Sequence, residues 1–171
     1  LAARQFESAD NMTQQLAAWS CLLQAGAGEA ATQAFYDQWQ GDRLVIDKWF
    51  SLQIVHASPE DTAEAASRLA NHADFNIRNP NRFRATFGAM VMSPAGFHHA
   101  SGKGYRLLAE WLIRLDPLNP QTTARMCSAF ETWRRYDAAR QTLIKAELDR
   151  ILDTPGLSRD TTEMVTRIRG V

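Results

Sequence analysis

The sequence predicts an all-α fold, an irregular α-solenoid of the HEAT or armadillo kind assembled from antiparallel helix pairs. Three observations predict it. Apolar residues recur at helical spacing through almost the whole chain. No stretch shows the period-two alternation of a strand bounded by hairpin turns. Helix starts and stops follow one another closely, and short links make sequential helices antiparallel neighbours. Pairs repeating every 35–45 residues or so have the spacing of helical repeats. No clean sequence repeat is present, so a globular helical bundle also fits.

Asp10-Asn11-Met12-Thr13 is a cap, because a side-chain oxygen there accepts from one of the N–H groups that a helix start leaves unpaired. The helix it opens runs to about Gln24 with Leu16, Trp19, Cys21, Leu22 and Leu23 apolar, and Gly26 and Gly28 break it. A second helix, from about Glu29 to Trp39, carries Phe35, Tyr36 and Trp39 and stops at Gly41. The third, Leu44 to about His56, is so apolar that burial on more than one side is expected. Ser58-Pro59-Glu60-Asp61 reads as the capped start of an Ala-rich helix that ends near Asn71-His72. Asn79-Pro80-Asn81-Arg82-Phe83-Arg84 is the next helix entrance, and Phe83, Phe87, Met90 and Val91 give that helix its apolar stripe to about Met92. Ser93 to His99 is a turn or short helical piece, and Ser101-Gly102-Lys103-Gly104 is expected to be a flexible linker. Tyr105 to Leu115 is a helix with one broad apolar face. Asn119-Pro120 starts another that extends to about Trp133, and Asp137 a long one to about Leu152. Pro155-Gly156 stops it, and Ser158 caps a last helix through about Ile168.

With 171 residues, the whole chain (1–171) is expected to form one domain with a real core. It is 45% hydrophobic and 22% charged, an ordinary soluble composition, and no apolar run reaches transmembrane length. A membrane partner is therefore not expected. Leu1 to Phe6 opens an amphipathic stretch rather than a signal peptide, and there is no initiator methionine, so the chain reads as cut from something longer. Cys21 and Cys127 form neither a disulfide framework nor a metal knuckle, and a buried Cys21 in a reducing, cytoplasmic setting is expected.

Formal net charge is zero but unevenly distributed: residues 1–77 carry 4 basic and 10 acidic side chains, residues 78–140 carry 10 basic and 4 acidic. Of 19 basic residues 16 are arginine, which suits planar contact with carboxylate or phosphate, although base composition of the genome explains arginine abundance equally well. The basic segment opens at the Asn79 entrance. Arg82 and Arg84, two positions apart, point about 200° from one another on a helix, so only one of them faces a given surface squarely. The four histidines, His56, His72, His98 and His99, are not followed by glutamate and make no His-Glu-x-x-His zinc motif. Nucleophile elbows, phosphate loops and dinucleotide fingerprints are absent as well. Trp19, Trp39, Trp49, Trp111 and Trp133 lie on apolar helix faces and are expected in the core.

Several strings, in order along the chain, resemble the extreme C-terminal part of the bacterial aminopeptidase N (alanyl aminopeptidase) family of gluzincin metallopeptidases. They are Ala9-Asp10-Asn11-Met12-Thr13, Tyr36-Asp37-Gln38-Trp39, Leu44 through Gln53, Asn79 through Arg84, Phe97-His98, Gly104-Tyr105, Asn119-Pro120-Gln121 through Arg125, and Arg135-Tyr136-Asp137-Ala138. The family removes N-terminal residues from peptides with zinc held in an upstream domain, through Gly-Ala-Met-Glu-Asn and His-Glu-x-x-His motifs that this sequence lacks. The resemblance therefore implies a non-catalytic helical domain that closes over the catalytic domain and encloses a chamber. It implies no zinc in this chain, zinc in the parent enzyme, and inactivity of this chain alone. Its partners would be the upstream catalytic domain and peptide substrates. Two channel-facing arginines on the substrate's C-terminal side carry over to Arg84 and Arg125, while Arg82 is expected to be structural.

Two other readings stay open. One is a free-standing helical-repeat scaffold for a protein partner; the other, a nucleic-acid binder using the basic middle segment, is disfavoured by zero net charge. A solenoid cut from its neighbour is also expected to expose apolar surface around Leu16, Trp19 and Leu23 and to self-associate there.

Overall fold

A computed structural model describes residues 1–170, and within them the chain is helical throughout, without a strand. In order the α-helices are α1 (Ala2–Ser8), α2 (Met12–Gln24), α3 (Glu29–Trp39), α4 (Val45–Val55) and α5 (Thr62–Ala70). Then α6 (Pro80–Phe83) passes through a π-helical turn, Arg84–Gly88, into α7 (Ala89–Val91). They are followed by α8 (Pro94–Phe97), α9 (Lys103–Leu115), α10 (Pro120–Cys127), α11 (Ala138–Leu152) and α12 (Arg159–Arg169). Each of α1 to α4 packs on the next, α5 bridges to α8 and α9, and the last four helices pack as α9 with α10 and α11, and α12 with α10 and α11. This neighbour-on-neighbour order is that of a helical solenoid.

The caps lie where the sequence puts them. Asn11, Asn79, Asn119, Asp137 and Ser158 each accept from a first-turn backbone N–H. Ser58 instead closes a turn ahead of α5: its hydroxyl accepts from Asp61 N–H at 3.2 Å and donates to the Asp61 carboxylate at 2.8 Å. The helix after Asn119 is shorter than expected. It ends at Cys127, and two 3-10 turns, Ser128–Phe130 and Trp133–Arg135, carry the chain to α11.

One continuous core runs through the helices. Trp19 and Phe35, both fully buried, stack at 4.7 Å between centroids, and the Trp19 indole N–H donates to the Thr32 hydroxyl at 2.9 Å. Trp49 donates to the Thr32 carbonyl at 2.9 Å, and Trp133 to the Ile168 carbonyl at 2.9 Å, so these large side chains bury their faces without leaving a donor unpaired. Trp39 is half-buried at the margin of the core.

Three expectations are corrected. Cys21 is exposed, because it sits about 200° around α2 from Trp19, on the side away from the core. The edge expected around Trp19 is mostly covered: Trp19 is buried by α3, and Leu16 and Leu23 are half-buried. The Ser101–Gly104 stretch is not a flexible linker. Gly102 takes a left-handed φ of +68° at the head of α9. Gly104 is buried so closely against Phe97 that a Cβ would come 2.6 Å from the Phe97 carbonyl oxygen. Glycine serves close approach here, not mobility.

A buried carboxylate joins the last helices. Asp116, 2% exposed at the end of α9, accepts from Ser158 N–H at 2.7 Å, the Ser158 hydroxyl at 2.6 Å and the Thr161 hydroxyl at 2.5 Å. Its negative charge lies at the N-terminus of α12, where the helix dipole favours it. Asp116→Ala strands three donors and is expected to cost about 2–3 kcal/mol in urea unfolding. A loss under about 0.5 kcal/mol, the range of ordinary surface changes, contradicts this role.

Candidate functional site

The two arginines at the Asn79 entrance part company as helix geometry requires. Asn79 lies in extended backbone before Pro80, and its side chain accepts from Asn81 N–H at 3.0 Å and Arg82 N–H at 3.3 Å. This cap fixes the start of α6. Arg82 turns inward and is 5% exposed. Its Nε donates to Asp47 of α4 at 2.6 Å, a terminal nitrogen donates to the Asp74 carbonyl, and the guanidinium lies 4.5 Å from the centre of the Phe50 ring. It ties α4, the link before Asn79 and α6 together, and these engagements give it a structural role.

Arg84 turns outward at the first residue of the π-helical turn. It is exposed, and its guanidinium donates to the Asn81 side-chain carbonyl at 2.7 Å. Among the described residues it has no carboxylate partner within salt-bridge distance. A neutral amide orients the fork while leaving its charge uncompensated, a suitable state for receiving an anion.

Arg125 is exposed on α10 and lines an open groove of about 480 Å³ between α10 and α12. The groove is walled by Gln121, Ala124 and Arg125 on α10 and by Asp160, Glu163, Met164 and Arg167 on α12. Arg167 is drawn to Glu131 at 2.9 Å, whereas Arg125 has no ion-pair partner among the described residues. The groove that Arg125 lines does not include Arg84, so the two arginines do not share this groove. The α12 wall was missed by sequence reasoning. Asp160, Glu163 and Arg167 recur at the three- and four-residue spacing of one helix face, which was readable, but nothing local says that this face meets α10.

Among the described residues, no three His, Cys, Asp or Glu side chains converge into a possible ion site. No helix among the described residues is long and apolar enough to cross a membrane. Cys127 is buried, and burial pushes its thiol up to about 12, with the Asp116 carboxylate adding to the shift, so it is no nucleophile. The arrangement of Arg84 and of the Arg125 groove offers charge and shape for binding.

The family profile that matches is described as DUF3458_C ARM repeats and covers residues 1–170. Aminopeptidase N of Haemophilus influenzae is 39% identical over 171 residues, which is 98% of this chain and 19% of that protein. Aminopeptidase N of Escherichia coli is 38% identical over 170 residues, again 98% of this chain and 19% of that protein. The counterpart in Caulobacter vibrioides is 36% identical over 168 residues. The chain thus spans about a fifth of the length of the curated relatives it matches. The crystal structure of Legionella pneumophila aminopeptidase A in complex with aspartic acid superposes with a TM-score of 0.91 at 33% identity, over 98% of this chain and 20% of that one.

Proposed function

This chain belongs to the DUF3458_C family of ARM-repeat domains, and from that premise we propose that it is the C-terminal, non-catalytic helical domain of a zinc-dependent aminopeptidase. In this reading residues 1–171 form one domain of a larger cytoplasmic enzyme that removes N-terminal residues from peptides. The domain closes the catalytic chamber, lines the peptide channel and cleaves nothing on its own. The observation that carries the reading is the superposition of nearly the whole chain on one fifth of a solved aminopeptidase at a TM-score of 0.91.

Zinc would belong to the upstream domain, since no ligand set converges among the described residues of this one, and no chemical step is assigned here. This chain would contribute electrostatics and shape. Arg84 and Arg125 are the residues proposed to meet substrate, attracting the peptide carboxylate by long-range field and holding it by charge-assisted hydrogen bonds. Their exposure, and the absence of a carboxylate partner among the described residues, support that role. Arg82, the more buried arginine, is excluded from it by its three engagements.

The test is the coding sequence upstream of Leu1. Gly-Ala-Met-Glu-Asn and His-Glu-x-x-His motifs in the same frame are expected; a start codon immediately upstream without a catalytic domain overturns the reading. The isolated chain is also expected to associate weakly through the α1–α2 edge, where Leu16 and Leu23 remain half-buried. A concentration-independent monomer in sedimentation velocity contradicts that expectation.

A further inference from the structure

His98 follows α8, at the corner that leads into α9, and three elements meet around it. From α9, the hydroxyl of Tyr105 lies 3.0 Å from His98 Nδ1. From the link before α11, the Tyr136 ring stacks on the imidazole at 4.0 Å between centroids and 21° between planes. From α11, Arg140 donates its Nε–H to the His98 carbonyl oxygen at 2.6 Å, across 42 residues of sequence, while it is ion-paired with Asp137 at 2.5 Å. The adjacent His99 is engaged with the Ser101 hydroxyl at 3.0 Å. The titratable and charged groups around the imidazole are therefore Tyr105, Tyr136, Asp137 and Arg140.

A count of protons shows how this cluster is wired. Tyr105 is fully buried, and among the described residues its hydroxyl has one partner, His98 Nδ1. A buried phenol must donate its proton, so Nδ1 must accept it. His98 is then neutral, with its proton on Nε2. Adding a second proton puts N–H and O–H donors face to face and leaves the phenol proton without an acceptor. It also places an imidazolium beside the Arg140 guanidinium.

We propose that His98 is an acid-sensitive clasp that holds the α8–α9 corner to the start of α11 while neutral and releases it when protonated. Release breaks the Tyr105 bond and frees the Arg140 tie to the corner, against the stack on Tyr136, which favours a cationic ring and offsets part of the effect. Burial, aided by Arg140, holds the imidazole below its ordinary range, and burial pushes the Tyr105 phenol up to about 12, so the phenol keeps its proton throughout. The sign follows from linkage. The unfolded chain takes up the proton near pH 6.5 and the folded chain only below that, so stability is full above about pH 6.5 and lost as pH falls from there toward the folded value.

His98→Asn separates the clasp from simple burial, since its amide oxygen takes the place of Nδ1 and still accepts from Tyr105 but takes up no proton. The experiment is an imidazole NMR titration of the chain together with residue-resolved hydrogen exchange, corrected for intrinsic rates, from pH 7 to pH 5. In the wild type His98 is expected to titrate below pH 6.5, and protection over residues 97–104 and 138–142 to fall about tenfold as the pH is lowered. In His98→Asn that local fall is expected to vanish. An equal fall in both proteins, or a His98 ring titrating at or above pH 6.5, overturns the proposal. If the variant does not fold, the wild type still decides. A fall confined to the two segments supports the clasp, and a uniform fall over all helices overturns it.

Discussion

Arg82→Ala is expected to destabilise the domain by about 3–5 kcal/mol, the range for removing one partner of a buried ion pair. The Arg82 side chain is 6% exposed and its partner Asp47 17%. Truncation leaves the Asp47 carboxylate poorly solvated and the Asp74 carbonyl without this donor, and it removes a guanidinium packed 4.5 Å from the Phe50 ring centre. The loss arises from the groups left behind as much as from the contacts removed. Arg82→Lys keeps the charge but lacks the planar fork, so it is expected to recover only part of the loss. Urea unfolding measures both, with Arg84→Ala as the control expected to stay within about 0.5 kcal/mol of wild type. Equal effects of Arg82→Ala and Arg84→Ala would contradict the assignment of one arginine to the core and the other to the surface.

Arg125→Ala carries the largest effect expected on activity. In the aminopeptidase proposed to contain this domain, it should raise KM for peptides with a free C-terminus about 10- to 100-fold, the equivalent of one charge-assisted hydrogen bond in a desolvated channel. The turnover number should change little, because in the proposed role the residue binds the remote end of the substrate and touches no reacting atom. A twofold rise or less would place Arg125 in open solvent, where such contacts contribute little.

Local chemistry was legible in the sequence; long-range pairing was not. Asn11, Asn79, Asn119, Asp137 and Ser158 cap the helices they were expected to cap, because an extended polar residue followed by helical periodicity specifies its own neighbours. The opposite fates of Arg82 and Arg84 follow from helical pitch alone, but that Asp47 waits for Arg82, 35 residues earlier, is written nowhere near it. The same limit hid the α12 wall of the Arg125 groove. Cys21 was misplaced because the run Trp19 to Leu23 is apolar apart from Ser20, so composition masks the face that periodicity would have shown. Gly102 and Gly104 looked like a linker because glycine marks flexibility and tight backbone contact with the same letter; only the Phe97 carbonyl in three dimensions distinguishes them.

The central claim is that this domain lines the substrate channel and meets the peptide's C-terminal carboxylate. The most direct measurement is the ratio of KM values for one tetrapeptide in its free-acid and amidated forms, taken in the enzyme that contains this domain and in its Arg125→Ala variant. The account predicts that the parent enzyme favours the free acid and that the variant loses most of that preference, with the amide almost unaffected by the substitution. A preference that survives intact in Arg125→Ala, and again in the double variant with Arg84→Ala, would contradict it.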